Sequence, residues 1–115
     1  ETKLPVIENL SKKYDKVYLI KKRIPKPDKF GIFQKIENIC LNIAELVIKA
    51  SFENRNNKLP FLNIARVNTE LLKRLIRISG ELDIFNSKTY IDLELDLQEI
   101  SKMTNGWIKY LKETP

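Results

Sequence analysis

The 115-residue sequence contains no histidine, one cysteine and three glycines. Without histidine, the commonest general base and the commonest nitrogen ligand for metals are gone. The serine–histidine–acid triad and its cysteine counterpart are equally impossible. A lone cysteine, Cys40, supports neither a disulfide framework nor a thiolate metal site, and it falls within an apolar helical stripe where it serves as a small hydrophobe. Gly31, Gly80 and Gly106 lie too far apart to build a phosphate-cradling loop or a dinucleotide fingerprint. No apolar run approaches the roughly 18 residues that span a bilayer, and the amino end lacks the basic-then-apolar pattern of a signal peptide, so a cytoplasmic protein without membrane contact is expected.

What is present is a globular composition, 43% hydrophobic and 31% charged, in a chain of one-domain length. A single domain over residues 1–115 is expected. With few glycines and five prolines there is little turn chemistry, which predicts few, long elements. The net charge of +6 is distributed by segment: residues 1–23 carry seven basic and three acidic side chains, residues 66–77 four basic and one acidic, and residues 92–99 four acidic and none basic.

Hydrophobic periodicity predicts four helices. The first runs from about Pro5 to Arg23, with Ile7, Leu10, Tyr14, Val17 and Ile24 on one face and Lys12, Lys16 and Arg23 opposite. Pro25 and Pro27 end it. Asp28 is a suitable N-cap for a second helix, about Lys29 to Phe52, whose seam is Phe33, Ile36, Cys40, Ile43 and Val47, widened by Ile39, Leu46 and Ala50. The polar cluster Glu53 to Asn57 ends that helix. Asn57 is placed to cap the third, in which Pro60 fits the first turn.

The third helix, about Leu59 to Leu82, has one apolar stripe of Ile64, Val67, Leu71, Leu75, Ile78 and Leu82, and beside it a second of Leu62, Ala65, Leu72 and Ile76. That arc exceeds half the circumference, so the helix is either the most buried of the four or packs on another chain as well. Asn86 or Ser87 caps the fourth helix, which extends to about Leu111. Ile91 to Leu97 alternate like a strand, but Leu93, Leu97, Ile100, Trp107 and Leu111 keep helical spacing and no partner strand exists elsewhere. Ile91 and Leu95 then point away from the core, amid acids, as candidates for a subunit interface. Four long helices with short connections predict an all-α, antiparallel up-down four-helix bundle.

Catalysis is not expected. Di-iron bundles need histidines as well as glutamates, and Glu37, Glu45, Asp92, Glu94, Asp96 and Glu99 read as a solvated face or ion-pair partners; neither a metal nor another cofactor is expected. Arg66, Lys73 and Arg77 recur at spacings of seven and four, with Arg74 beside them, forming a line that matches several backbone phosphates. A solvated helix face is the alternative reading. Lys12, Lys16 and Arg23 make a second, weaker basic set. Without a base-reading motif, contact with RNA or DNA would be mainly to the backbone. Trp107, Tyr90 and Tyr110 read as core rather than as stacking platforms.

The order Ile24-Pro25-Lys26, Lys29-Phe30, Ile36 to Ala50 with Leu41 and Ala44-Glu45-Leu46, Lys58-Leu59-Pro60, Leu72-Lys73-Arg74-Leu75-Ile76-Arg77 and Gly106-Trp107-Ile108-Lys109 resembles the accessory variability determinant (Avd) family of diversity-generating retroelements. The likeness covers nearly the whole chain. It implies a non-enzymatic homopentameric barrel that binds the retroelement reverse transcriptase and nucleic acid and supports mutagenic cDNA synthesis. Carried onto this sequence, Arg66, Lys73, Arg74 and Arg77 become the preferred contacts, and the surplus apolar arc of the third helix, with Ile91 and Leu95, gains something to pack against. A related family, encoded by intervening sequences in 23S ribosomal RNA genes, shares the bundle and resembles Asn42-Ile43-Ala44-Glu45. It implies a structural or protein-interaction module without nucleic-acid binding.

Overall fold

The computed structural model describes residues 3–113 and, within them, the side chains of residues 7–28 and 30–113. Residues 1, 2, 114 and 115 of the expected domain lie outside the described residues. The described chain is helical, with no strand among these residues: α1 (Lys3–Lys21), α2 (Lys26–Lys29), α3 (Ile32–Phe52), a 3-10 turn (Arg55–Asn57), α4 (Lys58–Glu81) and α5 (Ser87–Glu113). The four long helices form a bundle in which α3 packs on α4, α4 on α5 and α1 on α3, with a lighter contact between α1 and α5. The alternating segment at Ile91 to Leu97 is helical.

The expected start of the second helix differs. Pro25 and Pro27 do not simply stop α1; their fixed φ suits a first helical turn, and the chain makes the one-turn α2 before α3 begins. Asp28 therefore lies inside α2 rather than capping α3, and Gly31 holds the N-cap position of α3 without a side-chain bond. Asn57 does precede α4, but its side chain makes no cap; its amide donates instead to Asn54 Oδ1 at 3.1 Å. At α5, Asn86 Oδ1 accepts from the backbone N–H of Thr89 at 2.8 Å, a conventional cap.

Packing separates the two apolar stripes of α4. Leu62, Ala65, Leu72 and Ile76 are buried with Phe33, Ile36, Ile43 and Val47 of α3 and Leu93, Leu97, Ile100 and Trp107 of α5. Burying each Leu, Ile, Val or Phe of this set contributes about 1.5–3 kcal/mol against exposure. The other stripe faces outward at Ile64, Val67, Leu71, Ile78 and Leu82, and only Leu75 is half-buried. The apolar arc of α4 is therefore only partly buried within the chain.

Two devices fix the ends of α4. Lys58, at its start, is buried, and its ammonium donates to the carbonyls of Ala50 at 2.8 Å and Glu53 at 2.7 Å, tying the end of α3 to the start of α4. At the other end, the N–H groups of Asp83 and Ile84 donate to the carbonyls of Gly80 and Ser79, with Asp83 at φ 56° in the left-handed region. Gly80 lets the two helices close up there: a Cβ at this position would stand 2.6 Å from the Tyr90 ring.

Candidate partner-binding surface

The helical repeat places three kinds of side chain on three sides of α4. One side is the core. On a second, Arg66, Lys73 and Arg77 align over roughly 16 Å of helix, since each residue adds about 1.5 Å. The third is the exposed apolar stripe, with Arg74 at its edge. Arg66, Arg74 and Arg77 are exposed, and no carboxylate among the described residues pairs with them. Lys73 is half-buried and donates to Glu70 Oε1 at 3.1 Å, a pair of i,i+3 spacing. Three guanidiniums on this surface thus have no carboxylate partner among the described residues and are free to make bidentate contact with phosphate or carboxylate.

The second basic set has a different setting. Lys12 and Arg23 are exposed, whereas Lys16 is half-buried and paired, its ammonium 2.6 Å from Asp92 and 3.0 Å from Asp96. Lys16 therefore does not lie on a free outer face as its place opposite the apolar stripe of α1 had suggested. Burial alone would lower its pKa, but the hydrogen bonds to Asp92 and Asp96 outweigh that and raise it. Lys13, absent from the sequence-based candidates, lies 3.4 Å from Asp96 and 3.2 Å from Glu99. Hydrogen bonds from Asn9 and Lys13 lower the pKa of Glu99. The basic amino-terminal helix thus lies along the acidic stretch of α5, and part of its charge is neutralised within the chain. Lys12 and Arg23 rim an open concavity shared with Asp15 and Asp92, where the signs are mixed.

The remaining chemistry is sparse. Cys40 lines a small apolar void of about 30 Å³ between the helices, with Leu10, Tyr14, Val17 and Leu72 among its walls, and burial followed by the charge of Glu37 pushes its thiol up to about 12. At neutral pH it is protonated and a poor nucleophile. Burial, then Glu37, also raises Tyr14. Glu37 itself is buried and pairs with Lys21 at 3.2 Å. Among the described residues no cluster of three metal-ligating side chains forms.

Of the aromatics, Trp107 is core, with the Lys58 ammonium 5.9 Å from its ring centre. Tyr90 is half-buried against Gly80. Tyr110 is exposed, with the Arg55 guanidinium 5.1 Å over its ring. Ile91 and Leu95 are 57% and 58% exposed, so they do point outward as their spacing predicts. The structural roles of Lys58 and Arg55 were not deduced from the sequence; a lysine at the first turn of an apolar helix, just after a polar loop, was the available signal for Lys58. No described helix is long and apolar enough to cross a membrane.

A family model described as bAvd-like matches residues 6–111. No curated protein and no solved structure matches the chain.

Proposed function

The chain belongs to the bAvd-like family, and from that premise we propose that it is a non-enzymatic accessory of a diversity-generating retroelement, binding the reverse transcriptase and template RNA or cDNA in the cytoplasm. In this reading the four long helices run in antiparallel up-down order and the chains assemble as a homopentamer. The observation that supports nucleic-acid binding is the set of exposed guanidiniums on α4, Arg66, Arg74 and Arg77, unpaired among the described residues, in a chain of net charge +6. Lys73 adds a fourth positive charge whose field Glu70 partly offsets. Lys12 of α1 and Arg23 just after it are a separate, secondary contact set beside Asp15 and Asp92, and Lys16 contributes less because two aspartates already hold it.

Contacts of this kind track the phosphate backbone rather than base edges, so affinity falls steeply with salt. Light scattering combined with binding of a labelled single-stranded RNA and a DNA duplex at two salt concentrations tests the proposal. A mass near five subunits with strongly salt-dependent binding is expected. A monomer or dimer with no binding at low salt overturns it. A second reading, a bundle that contacts only proteins, is favoured by one observation: the apolar stripe of α4 is exposed, and a polyanion offers nothing apolar to cover it.

A further inference from the structure

We propose that the acidic stretch of α5 is an internal competitor for polyanions: it clamps Lys13 and Lys16 of α1 to the bundle, and a phosphate chain that takes those lysines releases α1 as a strap. The inference rests on the polyanion-binding reading above and assigns a regulation to it. Lys13 lies 3.4 Å from Asp96 and 3.2 Å from Glu99, Lys16 lies 2.6 Å from Asp92 and 3.0 Å from Asp96, and Asn9 donates to Glu99 at 2.7 Å. These side chains are partly exposed, so water and salt screen the pairs.

The apolar part of the same contact is thin. Among the described side chains of α1 only Leu10, Val17 and Ile20 are buried, whereas α3 buries Phe33, Ile36, Ile39, Ile43, Val47 and Ala50. The void of about 30 Å³ lies under α1, with Leu10, Tyr14 and Val17 on one side and Ile43, Leu72 and Leu97 on the other, so the atoms around it forgo dispersion contacts. After Lys21 the chain leaves the helix, Ile24 is buried as an anchor, and Pro25 is extended, which makes a joint at residues 22–25. A helix with few buried contacts and screened ion pairs belongs to the part of a fold that opens first. Docked and released α1 also differ in what they offer a phosphate chain. When α1 is docked, Lys13 and Lys16 are neutralised and Asp92, Asp96 and Glu99 repel phosphate beside them. When it is released, Lys12, Lys13, Lys16, Lys21, Lys22 and Arg23 face only Glu8 and Asp15 along residues 7–23. A ligand with higher affinity for one of two states shifts the population toward it.

Cys40 reports the release in the wild-type protein. It is the single cysteine of the chain, it lines the void together with Tyr14, and burial pushes its thiol up to about 12, so a thiol reagent labels it slowly while α1 is docked and faster once α1 has left. A saturating single-stranded RNA oligonucleotide in low salt is expected to speed the labelling about fivefold or more, with hydrogen exchange of the α4 amides unchanged. RNA bound without faster labelling, or faster labelling together with faster exchange in α4, overturns the strap and leaves polyanion binding standing. No RNA binding at low salt overturns both. A second test compares the triple variant Asp92→Asn, Asp96→Asn, Glu99→Gln with the charge-matched triple variant Glu8→Gln, Glu45→Gln, Glu113→Gln, whose acids form no ion pair among the described residues. The first is expected to bind the RNA about tenfold more tightly than the second and to label faster at Cys40 without RNA. Equal affinities and equal labelling rates overturn the internal competition.

Discussion

The two apolar stripes of α4 share a helix, a residue chemistry and a periodicity, yet Leu62, Ala65, Leu72 and Ile76 are at most 1% exposed while Ile64, Val67, Leu71, Ile78 and Leu82 are 43% to 63% exposed. Burial in this chain is decided by which side of α4 meets α3 and α5, and the side left over is not made polar. A surface that only had to stay in water would gain from polar residues there. In the function proposed above, the outward stripe is the face that contacts another macromolecule, and the arginines next to it add a charge that such a partner would match.

The largest expected effect separates the two stripes directly. Leu72→Ala opens a cavity in the core and should cost about 2–5 kcal/mol of folding stability. Leu71→Ala, one residue away, should stay within about 0.5 kcal/mol at protein concentrations too low for assembly. Urea denaturation of both variants under dilute conditions provides the comparison, and equal losses would mean the outward stripe is packed within the single chain.

A second way to break the contrast is to push α4 away from α5. Gly80→Ala places a methyl 2.6 Å from the Tyr90 ring, and overpacking of this kind costs about 1–3 kcal/mol, partly offset by the better helix propensity of alanine. Adding Tyr90→Ala should recover part of that loss, so that the double variant is less destabilised than the sum of the two single ones.

The smallest effect concerns the ion pairs between α1 and α5. Asp96→Asn removes carboxylate contacts with Lys13 and Lys16 and should cost no more than about 1 kcal/mol, with a penalty that shrinks in high salt. The pH dependence follows from Glu99. Its pKa is lowered by Asn9 and Lys13, so its contribution is present above the unfolded carboxylate value and is lost as pH falls through the depressed folded value. Thermal melts from pH 6 to pH 3 with wild type and Glu99→Gln should therefore differ in slope only at the acidic end. Lys16 has the opposite sign: its pKa is raised, so its contribution is full below the unfolded lysine value and disappears only at strongly alkaline pH.

Much of this was legible in the sequence for a physical reason. Long amphipathic segments carry their period over several turns, so α1, α3, α4 and α5, and the buried set Leu93, Leu97, Ile100, Trp107 and Leu111, followed from spacing alone. What failed is what spacing does not encode. Both stripes of α4 have the same repeat, and only the positions of α3 and α5 decide between them. Lys16 looked free because its partners Asp92 and Asp96 lie far along the chain. The one-turn α2 was missed because proline excludes a helix interior but accepts a first turn, a distinction set by the following residues. The exposed cations of α4 were legible, since Arg66, Arg74 and Arg77 lie outside the core arc; Lys73 takes Glu70, while Glu81 and Asp83 share a surface cleft with Arg77 without pairing with it among the described residues.

The most direct measurement is the binding of labelled single-stranded RNA by wild type and by an Arg66→Glu, Arg77→Glu double variant at low and moderate salt. Both substitutions lie on exposed positions, so helicity and oligomer mass should be retained. Wild type should bind at low salt and weaken steeply as salt rises, and the double variant should lose at least tenfold in affinity at low salt. Equal binding by the two proteins, with helicity intact in both, would contradict a nucleic-acid-binding role for the basic face of α4.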